Sequence, residues 1–107
     1  MSILSVYAVF ANADEAERIA RTVVEERLAA CVNILGPVHS IYRWQGKIET
    51  AGETAAIFKT SQSEAGALVE RIARLHSYDV PCIVAWPIEK VLPAYAEWVE
   101  DNVGRGD

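Results

Sequence analysis

Strand-like and helix-like segments follow one another as strand, helix, strand, strand, helix, strand. This order predicts an α+β domain of the ferredoxin-like, split βαβ type (βαββαβ), with a short C-terminal helix added. Three observations carry the prediction. The segments Ile3 to Phe10 and Glu53 to Thr60 are apolar on both sides, as central strands are. Each is followed by a capping signal and an amphipathic helix. Each helix leads into a further strand, and right-handed crossovers place one strand between the two of each half. The halves then interdigitate into one antiparallel four-stranded sheet with its helices on one face.

The first strand, ILSVYAVF, is rich in β-branched and aromatic residues. Asn12 stands three residues before Glu15, a capping-box spacing. Ala16, Ile19, Ala20, Val23, Val24 and Leu28 recur at helical spacing over about residues 13–30, with Glu15, Glu17, Arg18, Arg21, Glu25 and Glu26 on the solvent side. Cys31 to Leu35 is strand-like, and Gly36-Pro37 marks a kink or bulge. Beyond it Tyr42, Trp44 and Ile48 alternate with Arg43, Gln45, Lys47 and Glu49. The alternation runs through Gly46, which puts the expected hairpin turn at Thr50-Ala51-Gly52; a turn at Gly46 is the alternative. After the strand Glu53 to Thr60, Ser61 and Glu64 form a second capping box. Ala65, Leu68, Val69, Ile72 and Leu75 make the inward stripe of the next helix. His76 to Asp79 reads as a loop and Val80 to Trp86 as a strand closed by Pro87. Pro93 suits the first position of a last helix, whose Tyr95, Trp98 and Val99 share a face.

The ribbon is too long for its domain. Val38 to Glu49 spans about 40 Å at strand rise, whereas helices of about 14 to 17 residues reach only about 21–26 Å. Tyr42, Trp44 and Ile48 would stand in water on a single chain. An exposed ribbon of this kind is an association site, so these three residues are the expected subunit interface.

With 107 residues the chain is one domain, 1–107. A net charge of −5 and a pI near 5.0 speak against nucleic-acid and anionic-membrane partners. Apolar runs fall short of the roughly 20 residues a membrane span needs. The first residues lack the basic stretch of a signal peptide. Cys31 and Cys82 form no CxxC pair, and a reducing cytoplasm suits them. The loop Phe10 to Glu15 has neither Arg nor Gly to cradle a phosphate, against an acylphosphatase-like enzyme. No sequence feature pairs a cysteine with His76 and an orienting third group, against a Cys–His hydrolase. A binding protein rather than an enzyme is expected.

Leu28-Ala29-Ala30-Cys31-Val32-Asn33-Ile34, the run Ser40 to Glu49 (SIYRWQGKIE), Lys59-Thr60, Leu75-His76-x-Tyr78-x-Val80-Pro81 and Tyr95-x-x-Trp98 together resemble the divalent-cation tolerance (CutA) family, from Ile3 to about Val99. The resemblance implies a homotrimer similar in architecture to the PII signalling proteins and a role in tolerance of copper and other divalent metals, with no assigned reaction. The chain departs from the family pattern HPYEVPE at Ser77, Asp79 and Cys82. Phe10 stands where some members carry a copper-ligating cysteine. Of the family's copper set, His76 is the residue that carries over.

The candidate metal ligands are therefore His76, with Cys82 or Cys31 as soft partner. Imidazole and thiolate suit copper or zinc. Each has a plainer reading: the cysteines as small core residues, His76 as a cap on the carbonyls of the preceding helix. Lys59 and Tyr78 are the candidates for a cleft between subunits that takes a small anion or a partner protein. This is the PII-like alternative.

Overall fold

The computed structural model describes residues 2–104. Its elements are β1 (Ile3–Phe10), α1 (Ala13–Glu25), β2 (Cys31–Trp44), β3 (Lys47–Ser61), α2 (Gln62–Leu75), β4 (Ile83–Pro87) and α3 (Pro93–Asp101). The strands form one antiparallel sheet in the order β2-β3-β1-β4, with the two doubly apolar strands at its centre. Val6, Ala8 and Phe10 of β1 and Ala56 and Phe58 of β3 point to one side. There they join Ala16, Ile19 and Val23 of α1 and Leu68 and Ile72 of α2 in the main core.

Both predicted caps form. The Asn12 side chain accepts the Glu15 N–H at 2.9 Å, and the Ser61 hydroxyl accepts the Glu64 N–H at 3.3 Å. Pro93 opens α3. Between Ile34 and Gly36 the β2–β3 register slips by one residue, so the predicted bulge lies there, with Gly36 at φ 104°.

The hairpin turn differs from the expectation at Thr50-Ala51-Gly52. These residues are regular ladder partners of Ile41, Ser40 and His39, and the chain reverses at Gln45-Gly46. Both turn residues have positive φ, 50° and 81°, as a two-residue turn matched to strand twist requires. A turn of two residues shifts the phase of the alternation: Trp44 faces Lys47 and Arg43 faces Ile48, so Ile48 lies on the ribbon face opposite Tyr42 and Trp44 instead of sharing theirs.

α1 ends at Glu25 instead of running to about residue 30. The Leu28 N–H bonds the Val23 carbonyl and the Arg27 N–H the Val24 carbonyl, a Schellman closure with Arg27 at φ 61°. Arg27 replaces the usual glycine and is held by its own side chain, which donates to the carbonyls of Gly104 (2.7 Å) and Asp101 (2.9 Å). The strand expected from Val80 starts at Ile83 and includes Pro87. Val80 is exposed, and Pro81 has no N–H to give a ladder.

α3 does not join α1 and α2. Its Ala96 and Val99 pack with Ile3 and Ala30 at one end of the sheet in a second, smaller core. At the other end the β2–β3 ribbon runs beyond the helices, giving the chain a 47 Å long axis against 26 and 21 Å for the others. No helix among the described residues is long and apolar enough to cross a membrane.

Candidate functional site

The loop from α2 to β4 folds around His76, which is buried at the top of β1. The ring stacks on Phe10 with centroids 5.1 Å apart and leans on Tyr78 at 4.8 Å. Its Nδ1 accepts the Tyr78 N–H at 3.0 Å. The proton of the neutral ring therefore sits on Nε2, which donates to the Val9 carbonyl at 2.7 Å. His76 thus bonds the strand rather than the open carbonyls of α2, which was the plainer expectation for it.

Glu15, expected on the solvent side of α1, is buried beside it. One carboxylate oxygen accepts the Ala11 N–H at 2.9 Å, the other the Ser77 N–H at 2.8 Å. Burial pushes this carboxyl up, but the hydrogen bonds from Ser77 and Ala11 and the nearness of His76 outweigh it and hold the group below its ordinary value. One side chain thereby ties the start of α1 to the loop after α2. The capping spacing located Glu15 but said nothing of Ser77, a contact across 62 residues.

Next to this node lies a cleft of about 720 Å3 on the side of the sheet away from α1 and α2. Its lining includes Tyr7, Tyr42, Trp44, Glu53, Tyr78 and Cys82. Tyr78 donates its hydroxyl to Glu53 at 2.8 Å. Burial, that bond and the nearby charges push the phenol up to about 12, so it stays protonated at neutral pH. Glu53 and Tyr7 were not among the sequence candidates. Only the β1–β3 pairing brings them under the loop.

The structure sorts the sequence candidates into separate places. His76 and Cys82 meet on one residue: the Val9 carbonyl takes the His76 ring, and the Val9 N–H donates to the Cys82 carbonyl at 3.2 Å. Tyr42, Trp44 and Tyr78 share the cleft with Cys82, while Ile48, opposite Arg43, is exposed on the other face of the ribbon. Cys31 is elsewhere, at the α3 end, where its thiol and the Tyr95 hydroxyl lie 3.2 Å apart. Burial and this thiol push the Tyr95 phenol up to about 12. Lys59 is paired in register with Cys31 and with Ser5. It is six residues along β3 from Glu53, about 20 Å at strand rise, so Lys59 and Tyr78 lie apart within one chain. Among the described residues no three His, Cys, Asp or Glu side chains are grouped to hold a metal ion. As folded, both nitrogens of His76 are already engaged.

Residues 4–102 match the CutA1 divalent ion tolerance protein family. The divalent-cation tolerance protein CutA of Archaeoglobus fulgidus is 42% identical over 98 residues, 92% of this chain and 95% of that one. Among solved structures, the divalent cation tolerance protein from Thermus thermophilus superposes with a TM-score of 0.92 at 41% identity, covering 95% of this chain and 99% of that one. The periplasmic divalent cation tolerance protein CutA from Archaeoglobus fulgidus gives a TM-score of 0.92 at 40% identity, with the same coverage.

Proposed function

The chain belongs to the CutA1 divalent ion tolerance family, and on that premise we propose that it serves divalent-cation tolerance as a cytoplasmic homotrimer that binds a thiophilic metal, copper or zinc, rather than as an enzyme. The ribbon holds the trimer through Tyr42, Trp44 and Ile48, which are 42%, 50% and 62% exposed on the single chain. Two free cysteines support a reducing compartment, although the Archaeoglobus relative is described as periplasmic.

The observation that carries the metal reading is the meeting of His76 and Cys82 on Val9. The metal takes imidazole nitrogen and thiolate at the head of the cleft, and binding displaces the Tyr78 N–H from Nδ1. Asp79, in the lining of the same cleft, supplies an oxygen donor. Cys31, bonded to Tyr95, takes no part. Protons compete for imidazole and thiol, so affinity falls as the pH is lowered toward about 6.

The test is calorimetric titration of the intact protein with copper and with zinc, beside His76→Asn and Cys82→Ser. Saturable binding lost in both variants supports the site, with Cys31→Ser unchanged. Binding unaltered by Cys82→Ser, which removes no buried contact, overturns it. No binding to any of them favours a PII-like scaffold that takes a small anion or a partner protein. Lys59, half-buried and in no ion pair among the described residues, supports that second reading.

A further inference from the structure

Lys59 stands in a row of hydrogen-bond donors. In the cross-strand register Cys31 faces Lys59, Lys59 faces Ser5, and Ser5 faces Trp86. Residues directly opposite in an antiparallel sheet project to the same side, with Cβ atoms about 4.5–5.5 Å apart. The row thus crosses all four strands. It lies on the side away from the main core, since Val6 and Phe58, the next residues along β1 and β3, are in that core. α3 lies over its end: Ile3, two residues from Ser5 on the same side, packs with Ala96 and Val99, and the Tyr95 hydroxyl reaches the Cys31 thiol. The residues of the row carry an ammonium, a hydroxyl, a thiol and an indole N–H on one side of the sheet, with the Tyr95 phenol at the thiol, and no carboxylate belongs to the row.

The charge balance makes this unusual. The chain has 15 acidic and 10 basic residues. Among the described residues the ion pairs are Arg21–Glu17 and Arg71–Glu26, and Arg27 is neutralised in part by two carbonyls. The other cations among the described residues are exposed, and of these described cations Lys59 alone is half-buried without such a partner. A half-buried charge is favourable only when something of opposite sign answers it, and here the neighbours supply donors instead of an acid.

We infer that the Ser5–Lys59–Cys31 row beneath Tyr95 is a binding site for a small oxyanion, a phosphate group or its like. Lys59 supplies the charge, and Ser5 and the thiol–phenol pair supply hydrogen bonds. The site is about 20 Å along β3 from the cleft at Tyr78 and is independent of the metal site. It rests on the anion-binding alternative and gives that reading a place. The thiol is one donor among several and undergoes no reaction.

The probe is inorganic phosphate, titrated into the intact protein at neutral pH and followed by backbone amide NMR, with sodium chloride at matched ionic strength as control. Saturable shifts at Ser5, Cys31 and Lys59, with chloride inert, are expected. Lys59→Met should weaken binding by about tenfold or more, the loss of one charge-assisted contact. Lys59→Arg should keep most of it, and the melting temperature of both variants should stay near the parent's. Saturable shifts confined to other residues would overturn this site but leave the anion reading standing. No saturable shift at all would overturn both. Equal binding by Lys59→Met and parent would also remove Lys59 from any site.

Discussion

β3 lies in two environments. From Thr54 to Ser61 every residue is buried or half-buried; from Lys47 to Glu53 none is buried. The ladder to β2 is continuous through both halves, so hydrogen bonding does not distinguish them. What differs is cover. α1 and α2 have 13 and 14 residues, about 20 Å each, whereas the 15 residues of β3 reach about 46 Å end to end. The inner half has its core within the chain. The outer half carries Ile48, and the β2 segment paired with it carries Tyr42 and Trp44; all three are largely exposed on the single chain, the kind of apolar surface that the proposed subunit contact would cover. Strand pairing alone does not make a stable region; burial of a face does.

The sharpest test of the contrast is Phe58→Ala. This side chain is fully buried and packs on Phe10 with centroids 6.2 Å apart. Its loss should cost about 3–5 kcal/mol in denaturant unfolding. A cost below about 1 kcal/mol would place the stabilising core elsewhere. Trp44→Ala should leave the fold of each chain intact and weaken assembly by about 2–4 kcal/mol, as a central interface aromatic does. Sedimentation should show a smaller mass on dilution and a melting temperature that depends on concentration; an unchanged mass and melting curve would remove the ribbon from the interface.

Glu15→Gln probes the inner half at its loop. Removing the carboxylate charge from two backbone N–H donors should cost about 1–2 kcal/mol at neutral pH. The folded carboxyl lies below its ordinary value, so the native protein binds this proton less readily than the unfolded chain. Its contribution is present above the unfolded value and is lost as pH falls through the lowered folded one. Acid unfolding curves of parent and variant should therefore converge below that point; parallel curves throughout would deny the linkage. The smallest effect belongs to the ribbon tip. Gly46→Val forces a β-branched residue into φ 81° and should cost about 1 kcal/mol. Faster hydrogen exchange should be confined to ribbon amides near Trp44 and Lys47, with Val6 and Phe58 unaffected.

Local patterns foretold the elements well where one residue's neighbours along the chain settle its conformation. Asn12–Glu15 and Ser61–Glu64 capped helices as their spacing required, and Gly36-Pro37 marked the register slip. The places that escaped were those where distant groups intervene. Arg27 ends α1 because the carbonyls of Gly104 and Asp101, more than 70 residues on, hold its side chain. Glu15 looked like a surface charge until Ser77 met it. Of the candidate site, His76 and Cys82 were legible as ligand types, but their common partner Val9 was not; nor was the distance that separates Lys59 from Tyr78.

The sequence by itself determined the element order, the central places of β1 and β3, and an apolar ribbon too long for its helices. These follow from side-chain periodicity, crossover handedness and chain length, which act locally or on topology alone. Only the tertiary structure decided which way α3 folds, where the loop around His76 takes its hydrogen bonds, and that Ser5, Lys59, Cys31 and Tyr95 come together. Those outcomes depend on register and on contacts between segments far apart in the chain. One residue of slip would have turned every side chain in the row to the opposite face.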